Sequence, residues 1–272
     1  ISIRFVPVQL SEMNTIKFVA SELAIVTGHN KYETAQKVID SVLNRSGIVK
    51  KYIPKSKIEE SLLSLSDTDL KTIKNELNLD EKSSLKEVEN MIKLQVMSKS
   101  LNGNISENES KKKADEVLKV MPTLNKCLET SVKQDLRMRR GNIKEDSNLN
   151  KTQQKRNITI DSRNSKMYEK ELYCDPNKQF NIIIRGKIDG MNDEYIVETK
   201  NRTKRLFNMI PDYEKVQLNA YMFMTGKEKA LHIECYNEDQ NSVEYDFDKL
   251  FWDDCLSKIM SFVNEHIVGH IK

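Results

Sequence analysis

The 272-residue sequence predicts an α/β (α+β) fold, a central mixed β-sheet flanked by helices. Three observations carry that expectation. Short alternating segments, "QFNIIIRGKID", "EYIVETK", "KALHIECYN" and "NSVEYDFD", crowd into residues 179–248. A helical pattern, "DYEKVQLNAYMFMTG", divides them into two groups. The first 155 residues read almost wholly as helix. The order is helices, three or four strands, a helix, two strands and a last helix.

Taken in order, residues 11–45 read as helix, short turn, helix, with Gly28 and Asn30 in the turn. Residues 53–121 read as short amphipathic helices, with N-caps expected at Ser66-Asp67 and Ser83-Ser84. The polar run "NGNISENESKKK" (102–113) reads as a mobile loop. Residues 128–155 form another helical stretch, which Gly141-Asn142 could break. "NITIDS" (157–162) alternates weakly. In the later helix, Asp212 is the expected N-cap and Gly226 the stop. From Asp248 a final amphipathic helix carries Leu250, Phe251, Ile259, Phe262 and Ile267.

The composition, 38% hydrophobic and 31% charged, allows a core surrounded by many solvated helical faces. A net charge of +3 does not argue for nucleic acid by itself, so clusters matter more than the sum. No apolar run approaches the ~18 residues that span a bilayer, and nothing resembles a secretory signal. No membrane partner is expected. Cys127, Cys174, Cys235 and Cys255 are far apart in sequence, as expected for reduced thiols of an intracellular protein. The four histidines are scattered, so a metal would be held by carboxylates. The chain opens on Ile1 rather than Met, and further residues upstream are expected.

The chemistry concentrates in "RGKIDGMNDEYIVETKNR" (185–202). Strand side chains alternate, so Glu198 and Lys200 share a face while Tyr195, Val197 and Thr199 take the other, expected to be the core side. A hairpin turning at Gly190 brings Asp189 across to Glu198. Two carboxylates and one ammonium on one sheet suit phosphodiester hydrolysis. Carboxylates hold Mg²⁺ or Mn²⁺ through hard oxygens, with Thr199 able to add its backbone carbonyl. The ion acidifies water and neutralises charge building on phosphate. The lysine can orient or deprotonate that water, or stabilise the transition state. The pattern is short, and a solvated charged strand would look the same.

Two further features favour a site. Gln217 and Tyr221 are four apart on one helical face beside the strand. Glu145 lies one turn after Gly141, where a helical glycine, costing ~1 kcal/mol, could make room for a metal or a nucleic-acid backbone. Arg137, Arg139 and Arg140 would supply phosphate contacts, as would Arg202, Lys204 and Arg205 in "KNRTKR".

With these residues in view the sequence resembles the PD-(D/E)XK nuclease superfamily, in its lambda-exonuclease or YqaJ-type viral recombinase branch. Motifs similar to that branch run in order: "SELAIVTGHNKY" (21–32), "RGNIKE" (140–145), "IDG" (188–190, with Ile188 where proline is usual), "ETK" (198–200) and "QLNAY" (217–221). The resemblance implies a restriction-endonuclease-like core, a single nuclease domain over 1–272, with residues 46–130 as a helical insertion. It implies Glu145, Asp189 and Glu198 as metal ligands, Lys200 as catalytic lysine and Gln217 as the motif glutamine, which helps orient the phosphate or the lysine. Tyr221 would support the site or touch DNA, and Ser21 would bind a phosphate of the DNA end, usually the 5′ end.

The implied activity is metal-dependent DNA hydrolysis from ends. Alternatives are an endonuclease of the same fold, acting at structures or sites, and a non-catalytic DNA-binding recombination module. The cysteine spacing does not match the iron–sulfur subclass, so no iron–sulfur cluster is expected. A helicase or single-strand annealing protein is the partner implied by analogy. The family's trimer implies a homo-oligomer, which the insertion could create or block. The Lys- and Asn-rich composition fits a large DNA virus, in host cytoplasm or virion, and a nuclease of the kind giant viruses carry in a proposed defence system.

Overall fold

The computed structural model describes residues 13–102, 104–177 and 179–271. Strand β1 (Asn14–Val19) buries Ile16 and Phe18 and lies parallel to β3, with Ile16 opposite Ile182. This corrects the reading of residues 11–45 as helix, turn, helix. The run "NTIKFV" alternates as a half-buried strand does, but it is too short to declare itself without its partner. A short turn leads into α1 (Leu23–Val26), and after the "TGHNKY" loop comes α2 (Ala35–Arg45).

The next five helices are α3 (Lys57–Leu63), α4 (Asp67–Glu76), α5 (Leu85–Ile92), α6 (Ser98–Ser100) and α7 (Glu107–Lys119), with a π-helical turn at Lys93–Met97. Serines cap them. Ser66 accepts from Asp69 N, and Ser84 exchanges bonds with Glu87 in a capping box. Ser56 and Ser106 cap α3 and α7 in the same way. The cap at Ser106 turns most of the expected 102–113 loop into helix.

Helix α8 (Pro122–Arg156) runs 35 residues straight through Gly141-Asn142, so the expected break does not occur. Its first half packs Leu124, Leu128, Val132 and Leu136 onto Ile58, Leu62, Ile73, Val88 and Leu118, which form a hydrophobic cluster of their own. Its second half crosses a β-sheet.

Residues 157–162 are not a strand: Asn157 ends α8 in the left-handed region, and only an isolated bridge, Asp161 to Met191, forms. The remaining elements are β2 (Tyr168–Cys174), β3 (Phe180–Gly186), β4 (Gly190–Met191), β5 (Tyr195–Asn201), α9 (Asp212–Thr225), β6 (Lys229–Tyr236), β7 (Asp239–Asp246) and α10 (Lys249–His266). Pro211, not Asp212, sits at the N-cap of α9, and Gly226 ends it with φ 75°.

The strands form two mixed sheets, β1-β3-β2 and β4-β5-β6-β7, where one was expected. The chain passes from one to the other through residues 187–189, so Asp189 sits at the joint. Strand β5 is antiparallel to β4 and parallel to β6, with α9 as the crossover. Both faces of the second sheet are covered. Tyr195, Val197, Leu231 and Ile233 pack with Leu149 of α8. Ile196 joins Val216 and Ala220 of α9 and Trp252 of α10. No helix among the described residues is long and apolar enough to cross a membrane.

Candidate active site

Alternation along β5 puts Ile196, Glu198 and Lys200 on the α9 side and Val197, Thr199 and Asn201 on the α8 side. The site face is therefore not an open sheet surface. It is roofed by α9, which buries Glu198 to 4% exposure.

Lys200 Nζ donates to Glu198 Oε1 at 2.6 Å and to Gln217 Oε1 at 3.0 Å. Gln217 Nε2 donates to the Tyr221 hydroxyl at 2.8 Å. Tyr221 is buried, and a Cβ on Gly186 would lie 2.7 Å from its ring, so glycine there admits the tyrosine. Tyr221 thus braces Gln217 rather than facing DNA. On the other side of β5, Thr199 donates its backbone N–H at 2.7 Å and its hydroxyl at 3.0 Å to Asp189 Oδ2. Glu145 Oε1 on α8 accepts from Asn164 Nδ2 at 3.3 Å.

The electrostatics follow from crowding acidic groups out of water. Burial, then the Asp189 charge, pushes the Glu145 carboxyl up to about 7. Burial also raises Glu198, to about 8, with Asp189 adding and Lys200 opposing. Burial raises Asp189 against the Thr199 bonds and the Lys200 charge. Burial works to lower Lys200, but the Glu198 carboxylate outweighs it, and the ammonium is held above its ordinary range.

These residues fit a hard divalent cation. Glu198 Oε2 is buried with no hydrogen-bond partner, an expensive state for an acceptor that an ion would relieve. Asp189 and Glu145 each engage one oxygen in the bonds above and leave the other uncommitted. Among the described residues, no three acidic, histidine or cysteine side chains already close around one point. Each carboxylate is instead drawn to its own donor.

The expected basic contacts divide. Arg140 is 2% exposed and donates to Glu107 and to the carbonyls of Asn102 and Ile105. Arg202 is buried as well. Its guanidinium donates to both oxygens of Glu214, at 2.7 and 2.9 Å, and to Glu234 at 2.9 Å, and it stacks on Phe207. Both arginines are tied into the protein and are unavailable to DNA. Arg139 pairs with Asp135 at 2.7 Å. Arg137, Lys204 and Arg205 are exposed. Ser21 is exposed in the turn after β1, and no bond links it to the carboxylates among the described residues.

The backbone at Gly141 lies beside β5, and a Cβ there would meet only Asn201 Nδ2, at 3.9 Å. The Gly141 carbonyl accepts from Asn201 Nδ2 at 3.0 Å, which fastens α8 to β5. Two contributors were not read from the sequence. Asn164 holds Glu145, and the Arg202–Glu214 pair ties the end of β5 to the first turn of α9, one turn before Gln217. Neither carries a local signal, since partner and target lie far apart in the chain.

No protein-family model and no curated protein matches the sequence. Among solved structures, the chain is similar to an alkaline exonuclease (LHK-Exo) from Laribacter hongkongensis, at 10% identity and TM-score 0.42, over 65% of this chain and 94% of that one. It is similar to a phage-related exonuclease from Haemophilus somnus 129PT, at 14% identity and TM-score 0.39, over 93% and 96%. It is also similar to SSO0001, at 11% identity and TM-score 0.38, over 64% and 85%.

Proposed function

We propose that this chain is a Mg²⁺- or Mn²⁺-dependent DNA nuclease that hydrolyses phosphodiester bonds from DNA ends. The observation that carries the reading is Lys200, held between Glu198 and Gln217 beside carboxylates that each keep an uncommitted oxygen. Asp189, Glu198 and Glu145 would hold the metal, with the Thr199 carbonyl as a further ligand. When bound, the ion supplies an acidified water and neutralises charge on the phosphate.

The protein's own residues do the rest. Lysine has three N–H donors. Two are engaged by Glu198 and Gln217, which leaves one to donate to the attacking water or to a phosphate oxygen. As an ammonium it would act as an electrostatic donor to the charge that develops on the phosphate. Gln217, braced by Tyr221, fixes its direction. Thr199 fixes Asp189. Lys204, Arg205 and Arg137, as exposed cations, would meet phosphates. End dependence, with Ser21 at the terminal phosphate, rests on the sequence resemblance.

The test uses 5′-labelled linear duplex, single-stranded DNA and closed circular plasmid, with Mg²⁺, Mn²⁺ or EDTA, beside Asp189→Ala and Lys200→Ala. Metal-dependent loss of linear DNA with the circle spared, abolished in both variants, is the expected result. Nicking of the circle would replace end dependence with internal cutting. DNA binding without cleavage under any metal would leave a non-catalytic module.

A further inference from the structure

Tyr32 is 86% exposed, more than any other large apolar side chain among the described residues. An aromatic ring left so open ordinarily sits on a loose loop, but this loop is pinned. Asn30 N donates to the Ala24 carbonyl at 2.8 Å, and Tyr32 N donates to Asn30 Oδ1 at 2.9 Å. Thr27 Oγ1 donates to the Leu23 carbonyl at 2.8 Å, and Gly28 takes the left-handed turn with φ 74°. The backbone leading up to the ring is therefore set by hydrogen bonds.

The ring also has a fixed neighbour. Tyr32 meets Tyr213 edge-to-face, with centroids 6.4 Å apart and planes at 89°. Tyr213 lies on α9 four residues before Gln217, which lies four before Tyr221. Residues four apart share a helical face. One face of α9 thus runs from Tyr221, through the glutamine that holds Lys200, to Tyr213 about 6 Å further along the axis. Tyr32 extends that line beyond the helix into solvent, with the exposed Lys31 beside it.

We propose that Tyr32, propped by Tyr213, is a stacking platform for an unpaired nucleobase of the strand whose phosphate lies at Lys200. This rests on the nuclease reading and gives it a substrate class: a DNA end that is single-stranded, or frayed, over the bases next to the site. Every base has a π-face, so such a platform binds without reading sequence. A base inside a duplex already has neighbours on both faces and would gain nothing from the ring. A strand end leading out along α9 would bring its base to the tyrosine and its phosphates past Lys31.

The experiment uses single-stranded oligonucleotides carrying 2-aminopurine at successive positions, in the Asp189→Ala background with Mg²⁺, so that binding is read without cleavage. Anisotropy reports binding, and quenching of the base reports stacking. The expected result is quenching at one position, lost in Tyr32→Ala and retained in Tyr32→Phe, with affinity falling roughly 5- to 100-fold in the alanine variant. With an abasic nucleotide at the quenched position, Tyr32→Ala should change affinity little. Equal quenching and affinity with and without the ring would overturn the platform and leave the nuclease reading standing. An equal loss on the abasic strand would also overturn it, since Tyr32 would then act without a base. No binding by any variant would overturn both.

Discussion

Thr199 gives both of its donors, the backbone N–H and the hydroxyl, to the same oxygen of Asp189, at 2.7 and 3.0 Å. The carboxylate is thereby fixed across the joint between the two sheets with its other oxygen uncommitted. Thr199→Val keeps the shape and the N–H but removes the hydroxyl. Titrated by calorimetry, Mn²⁺ affinity should fall about 10-fold or more, as when other metal ligands lose their orienting bonds. Unchanged affinity would mean that the backbone N–H alone sets Asp189.

The metal-free site should make stability fall as pH rises. Glu145 and Glu198 bind protons more tightly folded, at about 7 and about 8, than their ordinary value of 4.5. The folded state is therefore favoured below about 4.5 and loses that advantage as pH climbs through 7 and 8. A divalent ion held by these carboxylates would cancel the repulsion. Its addition should raise the melting temperature more at pH 8 than at pH 6, read by calorimetry in matched buffers. An equal or absent gain at pH 8 would count against these residues as ligands.

Gln217→Leu removes the acceptor for Lys200 and the donor to Tyr221 from a half-buried position. Activity should drop about 10- to 100-fold, the scale of losing one positioned polar group, with little change in melting temperature. Steady-state cleavage of a labelled strand beside a thermal melt separates the two effects. A loss of fold without a specific loss of rate would reduce Gln217 to a packing residue.

Gly141→Ala tests the reading that a glycine on α8 makes room beside Glu145. A Cβ there meets only the Asn201 Nδ2, at 3.9 Å, an ordinary contact. Alanine should stabilise the protein by about 0.5–1 kcal/mol through helix propensity and leave activity unchanged. A chemical melt and a cleavage assay decide it. Activity lost with the fold intact would show that the space beside Glu145 is used.

Glu214 titrates in the opposite sense. Burial raises its pKa, but hydrogen bonds from His232 and Arg202 and the Arg202 charge hold it down at about 2. Its contribution is complete above the ordinary 4.5 and is lost as pH falls through 2. The stability gap between the native protein and Glu214→Gln should narrow by about 3 kcal/mol over that range. A gap that stays constant would mean that the ion pair adds nothing beyond the amide's hydrogen bonds.

How much of this was legible depends on how local each signal is. The alternation of β5 placed Glu198 and Lys200 on one face, and the four-residue step placed Gln217 and Tyr221 on one face of α9. Both are periodicities within one element. Arg140 and Arg202 show the opposite case. Their charge is plain in the sequence, but their use is set by Glu107, 33 residues away, and by Glu214 and Glu234, 12 and 32 residues away. A basic residue reads as a phosphate contact until the fold brings it a carboxylate. Strand β1 was missed because its six residues only become a strand against β3. The start of α7 within 102–113 was missed because a serine cap outweighs a polar composition.

The unbroken course of α8 also constrains how such a protein can change length. Leu136 belongs to the cluster built with the preceding helices, and Glu145 stands at the site on the same rigid rod. Each residue added or removed between them would turn one end against the other by about 100° and shift it by 1.5 Å. A single deletion there could not be absorbed as slack. It would swing the whole preceding bundle to another side of the site, while seven residues, nearly two full turns, would return it close to its original bearing. Length variation in this stretch should therefore come in helical steps, and the bundle's bearing relative to the site is set by a count of residues, with no hinge in between.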